Sequence, residues 1–215
     1  GPGQMAAVSR LDFELENLRA ALRWVCESGR GDQALRLGIA LSRYWELHGH
    51  AVEGRAWLEA ALAMASESET SLRAKGLLAA AGLARLQGEY ERMEDLATAS
   101  LDLARIVEDR VAIADALSQI GNARYFRGKL VSARDATTES LAIREELGDE
   151  RGIAVSSNNL GNVAQALGEN DTAEAFYRET ERLSRKVGDR QYVAIALNNL
   201  ALIAERRGDA EDRRA

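Results

Sequence analysis

At 215 residues and a formal net charge of −6, the chain lacks the clustered surplus of Lys and Arg that neutralises a phosphate backbone, which argues against nucleic-acid binding. Hydrophobic residues make up 46% and aromatic residues 5%, yet no apolar run approaches the roughly 18 residues of a membrane-spanning helix. One cysteine, Cys26, excludes an internal disulfide, and the lack of a visible secretory signal points to the reducing cytoplasm. The one proline is Pro2, so nothing downstream breaks a helix in that way. An all-α protein is expected.

Residues 1–5, beginning Gly1-Pro2-Gly3-Gln4, read as a remnant of expression and are set aside. A first amphipathic helix is expected from about Ala7 to Ser28, with Leu11, Leu15, Leu18, Leu22 and Val25 on one stripe. Gly29 and Gly31 end it, and Asp32 is placed to cap a second helix running to about Leu47. A partner helix follows over about 52–65. Trp24, Trp45 and Trp57 all fall in this part, residues 7–70, and are expected to build a bulky core there.

From residue 71 a regular array begins. Shifting Arg151–Arg190 by forty residues superimposes Gly88, Gly128, Gly168 and Gly208, and likewise Asp109, Asp149 and Asp189. A fixed period of this size is the signature of stacked helical units. First helices are expected near 72–87, 111–127, 151–167 and 191–207, and second helices near 90–107, 130–147 and 170–187. Gly168 supplies a left-handed stop, and Asp171 with Glu174 matches a capping box for the next helix. The turn at Glu108-Asp109 lacks the glycine that Gly148 and Gly188 provide. The last repeat stops a few residues into its second helix, and both ends read as those of a piece of a longer protein.

Within Arg151–Arg190 the helix has three faces at roughly 100° per residue. Ile153, Ser157, Leu160, Ala164 and Leu167 form the core side. Ala154 and Gly161 leave room for a neighbouring helix to approach closely. Asn158, Asn162 and Gln165 form a polar stripe on the opposite side. Such first helices are expected to stand side by side and share one concave surface.

The pairs Leu160-Gly161 and Ile120-Gly121, the glycines at Gly168 and Gly128, and the small residues Ala133 and Ala173 resemble the tetratricopeptide repeat (TPR) family in a forty-residue form. The resemblance covers about Leu72 to Asp209. It implies a right-handed α-solenoid of antiparallel helical hairpins, a TPR-like superhelix preceded by an extra helix. The family's helix-B aromatic corresponds to Phe176 or Tyr177 but is Ala97 and Thr137 in the other copies. The stretch Leu11–Ala63 is similar to the segment that joins the ATPase part to the TPR array in bacterial STAND-type regulators. That similarity implies the sensor or scaffold region of a larger signalling or transcriptional regulator.

The residues expected to line a peptide-binding groove are Arg85, Asn122, Tyr125, Asn158, Asn162, Gln165 and Asn198. Mid-helix Asn costs several tenths of a kcal/mol relative to Ala. The carboxamides either pair with the backbone of an extended peptide or bond to neighbouring helices and water. Tyr125 and Phe126 would add an apolar platform. Leu78 and Ser118 occupy a position where chaperone-docking TPRs place a clamp lysine, so capture of a C-terminal carboxylate is not expected. Asn159 and Asn199 sit nearer a helix boundary and read as structural.

His48-Gly49-His50 lacks the further ligands a structural zinc needs and reads as a turn. Arg30-Gly31-Asp32 is explained by a helix end followed by a helix start. No phosphate-binding loop or Ser-His-Asp set can be assembled. The sequence therefore predicts no catalysis, metal or cofactor. Its expected partners are a protein or extended peptide, the ATPase region of its own parent, or a second copy forming a homodimer. A self-association or autoinhibitory scaffold without an external peptide is the alternative reading.

Overall fold

The computed structural model describes residues 2–212, with side chains described for residues 14–206. Ten helices are described: α1 (Pro2–Glu27), α2 (Gly31–His48), α3 (Ala51–Met64), α4 (Thr70–Leu86), α5 (Tyr90–Ile106), α6 (Arg110–Phe126), α7 (Leu130–Leu147), α8 (Glu150–Ala166), α9 (Asn170–Lys186) and α10 (Arg190–Asp212). Their boundaries fall within one or two residues of the sequence reading, except at the two ends. There α1 begins five residues before Ala7, and α10 runs five residues beyond 207. Leu11 of the expected stripe and Gly208 of the repeat lie outside the residues whose side chains are described.

The turns follow from backbone chemistry. Gly168 ends its hairpin's first helix at φ 80, a conformation that costs an L side chain a Cβ clash. Its N–H donates to Gln165 O at 3.0 Å, and Glu169 N–H reaches back to Ala164 O at 2.9 Å, so the last carbonyls of the helix are satisfied. Glu108 takes the same left-handed place at φ 53 and is the one described residue other than glycine with positive φ. Asp149 caps α8, accepting from Gly152 N–H at 2.9 Å. Asp109 and Asp189 do the same for Ala112 and Tyr192, at 3.0 and 3.2 Å.

Two expected caps are different in fact. Asp32 lies inside the first turn of α2 and accepts from Ser66 N–H at 2.8 Å, tying α2 to the exit of α3. Asp171 is exposed within α9, whose N-cap is Glu169, with no side-chain cap bond. In both cases the helix starts a residue or two early, which moves the carboxylate past the capping position.

The described residues form two compact units, one reaching to Gln119 and the other beginning at Ile120. In the first, Trp45 is buried and packs so closely on α3 that a Cβ at Gly54 would lie 2.4 Å from its ring. The expected tryptophan core holds for Trp45 alone: Trp57 is part-buried, and Trp24 is 56% exposed with the Arg30 guanidinium 4.7 Å above its ring. In the second unit, Ala164, Ala173, Tyr177 and Ile203 form one cluster with Leu200 against it. Leu167, expected in the core, is 36% exposed because it is the C-cap at the mouth of the turn.

Buried hydroxyls stitch hairpins together at the repeat spacing. Ser100 donates to Ala74 O at 2.8 Å, and Thr180, its equivalent, donates to Ala154 O at 3.2 Å. The small residues at 74 and 154 let the second helix come within bonding distance of the first helix's backbone. That is the physical content of the forty-residue period.

Candidate functional site

The second unit holds six of the seven expected site residues. α8 carries Asn158, Asn162 and Gln165; the end of α6 carries Asn122 and Tyr125; α10 carries Asn198. Arg85 is part-buried in α4, in the first unit.

The α8 stripe is built around Tyr177 of α9. A Cβ at Gly161 would lie 2.5 Å from Tyr177 Cε1, so the ring packs directly against the glycine, and it is wholly buried. Its hydroxyl emerges on the polar side of α8. There it donates to Asn162 Oδ1 at 2.9 Å and contacts Gln165 Oε1 at 3.3 Å. From the other flank, Asn199 Nδ2 donates to Asn158 Oδ1 at 3.3 Å and Asn162 Oδ1 at 3.4 Å. Burial pushes the Tyr177 hydroxyl pKa up, and Tyr125 nearby adds to the rise while Arg206 opposes it. The hydroxyl therefore keeps its proton throughout the neutral range and acts as a donor.

These contacts refine the expected stripe. Asn158, read as an open position, is 6% exposed because α10 closes over it through Asn199. Asn162 and Gln165 are part-buried, as are Asn122 and Tyr125, while Asn198 is exposed. Tyr125 meets Phe126 edge to face, ring centroids 5.3 Å apart, and Phe126 is 49% exposed. The oxygen ends of Asn158 and Asn162 face Asn199 and Tyr177; end assignments of this kind follow from the bonding network. Asn199, read from the sequence as structural, is so through its bonds to Asn158 and Asn162, whereas the sequence reading missed Tyr177 as an organiser of the stripe. A helix-B aromatic at Phe176 or Tyr177 and a close approach at Gly161 were legible separately, but the reach of the tyrosine hydroxyl was not.

Among the described residues no group of three or more His, Cys, Asp or Glu could hold a metal ion, and no helix is long and apolar enough to cross a membrane.

The hairpins and their close-packed small residues define the class: an all-α, TPR-like α-solenoid. A family model described as tetratricopeptide repeat matches residues 152–212, which hold α8–α10 almost entirely. Among solved structures, the chain is similar to BtubC (BKLC) from P. vanneervenii at 17% identity and TM-score 0.70, covering 97% of this chain and 84% of that one. It is similar to the apo form of RapI at 16% identity and TM-score 0.75, covering 92% and 78%. A Rap protein complexed with competence and sporulation factor matches at 17% identity and TM-score 0.69, covering 94% of this chain and 65% of that one. At such identities the likeness is one of fold. A comparison with curated proteins finds no match.

Proposed function

We propose that the chain is a protein-interaction module that binds an extended peptide along the first helices of its second unit, contacting Asn122, Tyr125, Asn158, Asn162, Gln165 and Asn198. The observation that carries this reading is the polarity of the α8 stripe: the carboxamide oxygen of the part-buried Asn162 is engaged by Tyr177 and Asn199, which leaves its N–H donors for a ligand, and the same unit carries the part-exposed Tyr125 and the exposed Phe126. Donors and an apolar platform suit the carbonyl oxygens and side chains of an extended chain. A structure of the same fold is that of a Rap protein complexed with competence and sporulation factor, which lends the reading support. The parent protein is proposed to be a bacterial signalling or transcriptional regulator of STAND type, with this region as its sensor or scaffold.

Selection of unstructured peptides from a display library on the wild-type chain tests the site. Peptides so obtained are expected to lose affinity about tenfold or more, roughly 1.4 kcal/mol, on Tyr125→Ala and on Asn162→Ala, with helical circular dichroism retained. Full affinity in both variants would place binding elsewhere.

A further inference from the structure

Tyr177 has one hydroxyl proton and two carboxamides within reach. An O–H group can give one full hydrogen bond and receive others on its lone pairs. The shorter contact, 2.9 Å to Asn162 Oδ1, takes the proton. The 3.3 Å contact to Gln165 then sets two oxygens face to face, while Gln165 Nε2 is buried without a partner. A buried donor left unpaired loses its hydration with nothing in exchange. Turning the Gln165 amide by half a turn removes the facing oxygens and pairs Nε2, which then donates to Tyr177 Oη, while Oε1 takes the enclosed position that Nε2 held; the two ends of an amide differ by one atom type and are placed by their bonding.

The resulting chain runs Gln165 Nε2–H to Tyr177 Oη–H to Asn162 Oδ1. Asn199 Nδ2 adds a second donor to the same oxygen. With its oxygen receiving two donors, Asn162 has its amide group fixed outward. Among the described second helices at positions 97, 137 and 177, only this one carries a tyrosine there. The equivalents of Tyr177 are Ala97 and Thr137, and the Thr137 hydroxyl donates back to Ala133 O of its own helix at 2.8 Å.

We propose that Tyr177 is a positioning residue for the peptide site: it receives Gln165, donates to Asn162, and so locks Asn162 as a fixed donor that accepts only carbonyl or carboxylate oxygens from the ligand. The inference rests on the peptide-binding reading for its function, but its geometry is testable without any ligand. The two hydrogen bonds predict different consequences for two substitutions.

Side-chain amide NMR on the free protein reads them out. In the wild type the Asn162 and Gln165 NH2 signals are expected to be dispersed and as rigid as the backbone. Tyr177→Phe keeps the ring over Gly161 and removes the hydroxyl, so both amides are expected to become mobile while circular dichroism is unchanged. Gln165→Glu alters a part-exposed side chain and leaves the core intact. It replaces the donor with a carboxylate that competes for the tyrosine proton, so Asn162 is expected to loosen there too. A rigid Asn162 amide in either variant overturns the proposal. Peptides selected on the wild type should also bind Tyr177→Phe about tenfold more weakly and lose their preference for an acceptor at one position; equal affinity and preference would count against the positioning role. Failure to select any peptide rejects the binding reading and leaves the NMR outcome to judge the hydrogen-bond chain.

Discussion

Glu108 is the residue at which the repeat departs most plainly from its own rule. Its φ of 53 matches the 66 of Gly148 and the 74 of Gly188, but a side chain pays for that conformation by crowding its Cβ against backbone, at roughly 1 kcal/mol. The carbonyl contacts of the turn use backbone atoms alone, with Glu108 N–H on Arg105 O at 3.2 Å and Asp109 N–H on Ala104 O at 3.0 Å. Glu108→Gly should therefore keep the turn and raise stability by about 0.5–1 kcal/mol, the gain being reduced by glycine's freer unfolded chain. Urea unfolding measures it, and a lower midpoint would show that the side chain contributes a contact outweighing the strain. This residue was legible in sequence as a missing glycine. The Asn158–Asn162 stripe was less so: periodicity places a residue on a face, whereas the partners that bury Asn158 and orient Asn162 lie 15 to 41 residues away, beyond any local pattern.

At the scale of helices, the same substitution should have opposite signs in two places. In α8, alanine at Gly161 would put its Cβ 2.5 Å from Tyr177 Cε1 and 2.7 Å from Cδ1, against a rigid ring that is wholly buried. Overpacking of that kind costs about 1–3 kcal/mol, more than the roughly 1 kcal/mol that alanine gains over glycine in a helix. In α4, alanine at Gly82 would meet only Glu46 Oε1, at 3.3 Å, the end of a flexible side chain that can move aside. Gly161→Ala is thus expected to destabilise by about 1–2 kcal/mol, and Gly82→Ala to be neutral or stabilising by up to about 1 kcal/mol. Thermal unfolding of the two variants would settle it, and equal shifts would mean that propensity alone governs both sites. The sequence placed Gly161 in the small-residue row with Ala81, Gly121 and Ala201, and Gly82 in the neighbouring row with Asn122, Asn162 and Leu202. It did not show that a ring packs on Gly161, because the facing residue of the second helix is Tyr177 here but Thr137 and Ala97 in the other copies.

Across the whole molecule, charge pairs link successive repeats within each unit. Arg19 holds Glu53 through two contacts of 2.7 and 2.6 Å, Arg55 reaches Glu89 at 2.8 Å, Arg92 reaches Glu59 at 3.0 Å and Arg134 reaches Glu169 at 2.7 Å. Pairs this exposed contribute little singly, but they share one pH dependence. The Arg19 guanidinium, bonded to Glu53, holds that carboxyl below the usual carboxylate range, and Arg182 does the same for Glu179. A carboxylate whose folded pKa is depressed gives stability that is fully present above its unfolded value and is lost as pH falls through the folded one. Acidification from about pH 5 to pH 3 spans that window for ordinary carboxylates near 4.3. Over the same interval 34 acidic residues cease to balance 28 Lys and Arg, and the growing positive charge repels itself. Urea midpoints are therefore expected to fall steeply below about pH 4.5, and Glu53→Gln should start lower at neutral pH yet fall less on acidification. Parallel loss in wild type and variant would assign the acid sensitivity to net charge alone. Added salt separates the same two terms, because it weakens the Arg19–Glu53 attraction at neutral pH while relieving repulsion at pH 3.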